Sequence, residues 1–236
     1  LCACCLRFRD SRAMKKPTLK TKLRKSLQPV FRSLKCKRYC KMGLNGLDEK
    51  LEKYLDFEGG TFLEAGANNG IKQSNTYYLE AVKGWRGILV EPVPQLYAEC
   101  VKNRPSAKVY QAALVSDHYA QDTVQLSYAD LMTVVKANEG SGAHAAKGKE
   151  IQNIAETYDF DAPAERLSKI IEASGFEKID FLSLDLEGYE VEALRGLDLP
   201  KWGPKYVLVE VRDLEEISAV LGSNYRQVDM LTDGPG

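Results

Sequence analysis

Two short acidic turns that contain glycine are the part of this sequence best suited to chemistry. Residues 64–70 read Glu-Ala-Gly-Ala-Asn-Asn-Gly, and residues 185–188 read Asp-Leu-Glu-Gly. Each turn follows a short apolar run and precedes a helical pattern of apolar residues. Ligand sites of open parallel sheets lie where strands end and helices begin, so we expect two neighbouring pockets, one for a cofactor and one for the reaction.

The first turn has the features of a site for a nucleoside-containing cofactor. Gly66 allows a tight turn and a close approach of a ligand to the backbone, and Gly70 gives a second release before the helix. Asn68 holds the place of the middle glycine in the Gly-x-Gly-x-x-Gly pattern of nicotinamide enzymes. Glu91 follows Gly70 by 21 residues, where a carboxylate can bind both hydroxyls of a ribose.

The second turn supplies carboxylates that could act on a substrate. Asp185 and Glu187 follow the fourth predicted strand, which we expect beside the first strand. They could orient a hydroxyl, accept its proton or balance a cationic cofactor. Glu187 could instead only stabilise a helix N-terminus. Glu210 ends the fifth predicted strand, either at the same rim or as a solvated strand end.

The two histidines differ in their surroundings. His118 lies in the polar segment 116–119, which predicts a solvated turn. His144 lies in the glycine-rich segment 138–148, either as a plain loop residue or in a lid that brings a base to the acceptor. We expect the irregular residues 116–162 to shape the acceptor pocket.

Strand and helix patterns alternate along the rest of the chain. Near-continuous apolar strands that alternate with helices predict an α/β fold with a doubly wound parallel sheet. The predicted strands are 61–65, 86–91, 108–114, 122–128, 179–184, 205–211 and 225–230. The predicted helices are 45–55 with Asp48 as its cap, 74–82, 94–103, 163–174, 189–197 and 213–221.

Charge divides the chain into a basic arm and an acidic body. Residues 1–43 contain 14 Lys/Arg and one acid, whereas the other residues contain 19 bases and 32 acids. We therefore predict an arm over 1–43 and one domain over 44–236. The arm is either a solvated helix or a peripheral contact with a membrane surface. Nucleic acid is not expected as a partner, because the arm has few aromatics and the body is acidic.

The cysteines and the termini indicate the setting of the protein. Five of six cysteines lie in the arm with poor spacing for zinc, so we interpret them as incidental thiols and expect no metal. An apolar run long enough to span a membrane and a secretory leader are both missing from the sequence, which favours a cytoplasmic protein. Because Met14 is the first methionine, we expect residues 1–13 to be non-native.

Four segments in order resemble one family. Residues 64–70, 85–92, 179–188 and 206–210 look like the FkbM family of S-adenosylmethionine-dependent methyltransferases, with a resemblance over about 44–225. The resemblance implies a Rossmann-like sheet of the class I methyltransferase type and O-methylation of a hydroxyl on a glycan or natural product. The fold of this class ends in an inserted antiparallel strand, which residues 231–236 cannot form because they contain glycine and proline. We therefore expect a domain without its last strand.

The resemblance also implies roles for individual residues. The residues that would hold S-adenosylmethionine are Glu64, Gly66, Asn68 and Gly70 at the methionine moiety, Glu91 at the ribose, and Ala113 and Leu114 near the adenine. Asp185 and Glu187 would border the reacting methyl group, with Asp185 or His144 assisting deprotonation. Two alternatives stay open, a catalytically silent binding or trafficking module and a nicotinamide-dependent oxidoreductase.

Overall fold

The computed structural model describes residues 2–7, 27–34, 36–128, 134–135 and 158–232. His144, most of the irregular segment that was predicted to shape the acceptor pocket, and much of the basic arm lie outside these ranges. In the described ranges the strands are β1 (Cys2–Arg7), β2 (Thr61–Ala65), β3 (Arg86–Val90), β4 (Lys108–Tyr110), β5 (Ala113–Leu114), β6 (Thr123–Tyr128), β7 (Val134–Val135), β8 (Tyr158–Glu165), β9 (Phe181–Leu184), β10 (Tyr206–Glu210) and β11 (Tyr225–Thr232).

Seven of these strands form one parallel sheet in the order β11-β1-β10-β9-β2-β3-β4. Each neighbouring pair in this sheet runs parallel. Ala65 is in register with Val90 on one side and with Leu184 on the other. The carboxyl ends of β2, β3 and β9 therefore meet at one edge, which confirms the expected neighbourhood of the first and fourth predicted strands.

Helices cover both faces of the sheet. They are α1 (Gln28–Ser33), α2 (Lys37–Cys40), α3 (Leu47–Leu51), α4 (Tyr77–Lys83), α5 (Pro94–Asn103), α6 (Leu167–Ser174), α7 (Glu190–Arg195), α8 (Leu199–Trp202) and α9 (Leu214–Leu221). Phe62 and Leu63 are both fully buried, yet they belong to two different apolar clusters because successive strand residues point to opposite faces. This arrangement confirms the predicted doubly wound fold.

A smaller sheet, in the order β5-β8-β6-β7, corrects two predicted elements. The single strand predicted over 108–114 is divided, because β4 pairs with β3 while Ala113 and Leu114 pair with β8. The helix predicted from residue 163 begins only at Leu167. Pro163 instead lies opposite Thr123 in the antiparallel pair of β8 and β6. Pairing with a distant strand overrides the local helical pattern there.

The strand β1 is inserted between β10 and β11, whereas the strand that the class was expected to insert is antiparallel. It runs parallel to both neighbours, with Ala3 in register with Tyr206 and Cys2 in register with Tyr225. The segment expected to be non-native thus contributes a strand to the sheet. Whether residues 1–13 belong to the natural protein stays a prediction.

The described part of the predicted arm packs against the body. Phe31 packs against the apolar cluster around β2, and Cys40 is fully buried in that cluster. Within the arm, the Phe31 and Tyr39 rings stack with centroids 4.4 Å apart. The side chain of Arg32 reaches the carboxylate of Glu80 on α4. Among the described helices, none combines the length and the apolar character that a membrane crossing needs.

Candidate functional site

The first turn leaves β2 through a series of left-handed residues. The φ angles of Gly66, Asn68 and Gly70 are 77°, 51° and 78°. Asparagine adopts this region more readily than most residues, since its short polar side chain bonds locally; here Asn68 Oδ1 accepts the Asn69 N–H at 2.9 Å. A Cβ atom on Gly66 would lie 2.0 Å from the Asp185 carbonyl oxygen. Glycine is therefore required at position 66 on two independent grounds.

The two acidic turns touch each other. The Asp185 N–H donates to the Ala65 carbonyl oxygen at 3.2 Å, at the ends of the paired strands β9 and β2. One residue after Ala65, Gly66 packs directly against the Asp185 backbone. Nearby, the Asn75 side chain connects the segment after the first turn to β9 by donating to Ser183 Oγ at 3.0 Å. The structure thus brings together the two turns that the sequence predicted as neighbours.

Glu91 supports the first turn from the end of β3. Its buried carboxylate accepts the Asn68 N–H at 2.8 Å and the Val93 N–H at 3.0 Å. The Cys100 thiol donates to the Asn68 carbonyl oxygen at 2.9 Å, and burial raises the pKa of this thiol, which keeps it protonated. Glu91 therefore lies beside the first turn. Its contact with a ribose stays a prediction.

Glu64 anchors the segment that follows the first turn. Its buried carboxylate accepts the Ser74 hydroxyl at 2.7 Å and the Asn75 N–H at 2.8 Å, and it also accepts the Thr76 hydroxyl. These bonds hold residues 74–76 against the end of β2. The predicted contact of Glu64 with a methionine moiety is not tested by this arrangement.

Three carboxylates meet at the second turn. One carboxylate oxygen from each of Asp185, Glu187 and Glu210 lies within 4.8 Å of those from the other two, and Glu210 is only 4% exposed. Glu187 has a φ of 58° and forms an ion pair with Arg212 at 3.6 Å. Like charges at this separation repel, so a cationic group placed among them is stabilised. We call the three residues Asp185, Glu187 and Glu210 the acidic rim. Glu210, for which the sequence left open either this rim or a solvated strand end, therefore belongs to the rim.

Glu190 is a residue of the second turn to which sequence reasoning gave no role. It is buried at the start of α7, where Oε1 accepts the Leu186 N–H at 2.7 Å and the Gly188 N–H at 3.2 Å. Burial raises the pKa of its carboxyl, while the backbone N–H groups oppose that shift. The signal in the sequence was an acid two residues after the glycine that ends the turn.

Comparison with known proteins identifies the family of the chain. A family model described as the methyltransferase FkbM domain matches residues 64–230. The chain belongs to the FkbM methyltransferase family. The match begins at the first turn and includes the second turn and the acidic rim, which confirms the resemblance seen in the sequence. Searches of curated proteins and of solved structures found no match.

Two predicted cofactor residues of this FkbM methyltransferase lie in its smaller sheet. Ala113 and Leu114 form β5 and are buried beside Ala164 and Glu165 of β8. They follow Tyr110, whose carbonyl oxygen accepts the Glu91 N–H at 3.1 Å. Ala113 and Leu114 therefore follow a residue that is hydrogen-bonded to Glu91 beside the first turn. Their predicted contact with an adenine stays a prediction.

The histidines of the methyltransferase have separate outcomes. The His118 side chain is 89% exposed and lies 3.5 Å from the Asp117 carboxylate, in the solvated turn that the sequence predicted. His144, the candidate base, lies outside the described residues. The described candidates for proton transfer are thus the carboxylates of the acidic rim.

Proposed function

We propose that this FkbM methyltransferase uses S-adenosylmethionine and transfers a methyl group to a hydroxyl of a glycan or a small natural product. The observation that carries the proposal is the contact between the two turns, where the Gly66 backbone lies against the Asp185 carbonyl group. Through this contact, the backbone of the first turn lies directly beside the acidic rim. A cofactor bound on the first turn would present its reactive end to the second turn.

The residues present suit a cationic nucleoside cofactor. Glu91 already holds the turn through its carboxylate, and a carboxylate is a group that can accept hydrogen bonds from both hydroxyls of a ribose. The acidic rim would stabilise positive charge, which a sulfonium and an ammonium group both carry. Asn68 in place of a glycine is a departure from the nicotinamide pattern and supports this choice of cofactor.

The chain's own contribution to the reaction is placement. Beside Glu91, the residues that would hold the cofactor are Glu64, Gly66, Asn68, Gly70, Ala113 and Leu114. When bound, S-adenosylmethionine supplies an activated methyl group. The rim carboxylates Asp185 and Glu187 would orient the acceptor hydroxyl for in-line attack. Asp185 or His144 would take up the hydroxyl proton.

Calorimetric titration with S-adenosylmethionine tests the cofactor. We expect saturable binding to the wild type and about tenfold weaker binding to Glu91→Gln, since that change removes a charged acceptor. Glu99→Gln, at an exposed glutamate of α5, is the matched control and should bind as the wild type does. A folded wild type that gives no binding heat, or that binds NADH in a fluorescence titration instead, would overturn the proposal.

Mass spectrometry of an acceptor pool tests the reaction. Glycans and small natural products are incubated with the enzyme and isotope-labelled S-adenosylmethionine. We expect the label in a methyl ether on one acceptor. Label on nitrogen or carbon would contradict O-methylation. Cofactor binding without any transfer, over a broad pool, would support the catalytically silent alternative.

Two variants distinguish the candidate bases once an acceptor is known. Asp185→Asn and His144→Ala remove the two groups that we propose as the base, and loss of the true base should lower kcat by about 10²–10⁴-fold. His118→Ala, at an exposed site, serves as the control. Full activity in both base variants would exclude both residues from proton transfer.

A further inference from the structure

We propose that Arg32 of helix α1 is a positioning residue that fixes the first turn through a buried network of charges. Arg32 lies in the segment predicted as the basic arm, outside the part of the chain matched by the family. The expected effect on the turn follows from the contacts of Arg32 and Arg104. The expected effect on cofactor affinity rests on the proposed function.

The network is centred on Arg104, which lies directly beneath the first turn. Its side chain is fully buried. The guanidinium donates to the Gly70 carbonyl oxygen at 2.8 Å, to Ser74 Oγ at 3.2 Å and to Thr76 Oγ1 at 3.1 Å. A Cβ atom on Gly70 would lie 2.9 Å from Arg104 Cγ, so turn and guanidinium stem are in close contact. Arg104 thus holds both ends of residues 70–76.

The charges around Arg104 balance only when Arg32 is included. Arg104 Nε donates to Glu80 Oε2 at 2.8 Å, and Arg104 Nη1 lies 3.9 Å from Glu64 Oε2. Both carboxylates are almost fully buried, which leaves two negative charges against one positive charge. Arg32 donates to the second oxygen of Glu80 and makes the set neutral. Buried charges are costly unless they are paired, so the fourth charge matters to the other three.

A second path leads from Arg32 to the same turn. Arg32 Nη1 donates at 3.1 Å to the carbonyl oxygen of Asn103, the last residue of α5. A cation is favourable there because the carbonyl groups of a helix C-terminus carry partial negative charge. The Asn103 side chain in turn donates to the Asn69 carbonyl oxygen at 2.8 Å. Arg32 therefore supports the turn both at Asn69 and, through Glu80 and Arg104, at Gly70.

Arg32 can be changed without disturbing the core. Its side chain is 22% exposed, whereas that of Arg104 is fully buried, and α1 lies at the periphery of the domain. Removing its charge leaves Arg104 as the cation of the network that faces both Glu64 and Glu80. The attraction of Arg104 to the two carboxylates then competes with its hydrogen bonds to the turn. We expect the first turn to open more often.

Amide hydrogen exchange and calorimetry on the full chain test this proposal. In Arg32→Gln, peptides that cover residues 66–76 should exchange about tenfold faster, and S-adenosylmethionine should bind about tenfold more weakly. Arg32→Lys keeps the charge with fewer donors and should recover part of both losses. Lys37→Gln, an exposed change in α2, is the matched control and should match the wild type. Peptides from β9 and β10 report global stability.

The outcomes separate this proposal from the proposed function. Faster exchange confined to residues 66–76 supports the positioning role, even if the wild type binds no S-adenosylmethionine and the proposed cofactor is wrong. Unchanged exchange at those residues in Arg32→Gln would overturn the positioning role. Exchange that rises equally in β9 and β10 would overturn it too, since Arg32 would then only stabilise the whole fold.

Discussion

Gly66 shows how one residue can decide the geometry of the site. Its φ of 77° is costly for other residues, and its missing side chain lets the Asp185 carbonyl group approach. The two demands are separable because Gly59 has a similar φ of 69° and open space around it. The first demand concerns the turn alone, whereas the second keeps both turns together.

Substitution of Gly66 is expected to disrupt the site by more than backbone strain. Gly66→Ala should lower the free energy of unfolding by at least about 3 kcal/mol and abolish cofactor binding, because the new Cβ collides with backbone. Gly59→Ala should cost only about 1–2 kcal/mol and leave binding intact. Urea unfolding and calorimetry measure both effects. Equal losses in the two variants would contradict a role for the contact with Asp185.

At the scale of elements, helix α3 contains an acid that the fold holds in an unfavourable setting. The sequence predicted Asp48 as a helix cap, but it lies within α3, and the residue at the N-cap position is Gly46. Its carboxylate instead accepts the N–H of Gly43, five residues earlier. Burial raises the pKa of Asp48 to about 7, and the nearby Glu64 charge acts in the same direction.

This raised pKa predicts that Asp48 makes the free energy of unfolding depend on pH. The folded chain binds a proton at Asp48 that the unfolded chain releases near its usual pKa of 3.8, so the stabilisation is present at low pH and is lost as the pH rises towards about 7. Relative to Asp48→Asn, the unfolding free energy of the wild type should fall by roughly 2–3 kcal/mol between about pH 5 and pH 8.

Chemical unfolding at several pH values measures this difference. Glu58→Gln, at an exposed glutamate, is the control and should show a pH dependence parallel to that of the wild type. A constant difference between wild type and Asp48→Asn across this range would show that Asp48 is ionised throughout.

At the scale of the whole molecule, the arm combines a basic composition with exposed apolar side chains. Residues 1–43 carry 14 Lys/Arg and one acid, although residues 8–26 lie outside the described ranges. Around α1, Leu27, Val30 and Leu34 are 38%, 49% and 71% exposed, while Phe31 packs inward. A segment rich in basic residues with exposed apolar side chains around α1 suits the surface of an anionic membrane.

We expect the protein to bind anionic vesicles peripherally. It should sediment with phosphatidylserine-containing vesicles at low salt and much less at high salt, because the attraction is screened. Replacing Leu27, Val30 and Leu34 by Ser should weaken binding several-fold, whereas Val101→Ser, an exposed apolar change in α5, should have no effect. Sedimentation that is equal with neutral vesicles, or absent at low salt, would contradict this expectation.

The sequence by itself determined the parts of the fold that depend on local pattern. The apolar runs of β2, β3, β9 and β10 and the glycine at position 66 mark where strands end and turns begin. The sequence analysis also predicted the fourth strand, β9, beside the first, β2, and therefore the meeting of both turns. The family followed from the same segments.

Only the tertiary structure decided what depends on contacts between distant residues. The sequence around Arg104 does not predict that its guanidinium is buried beneath Gly70, or that Arg32 of α1 completes its charge network. The parallel insertion of β1 between β10 and β11 likewise depends on the edges that those strands offer. Charge pairing and strand pairing act across space, and a buried charge selects its partners from whatever the fold brings near. The two turns could therefore be predicted from the sequence, whereas the distant contacts that hold them in place could not.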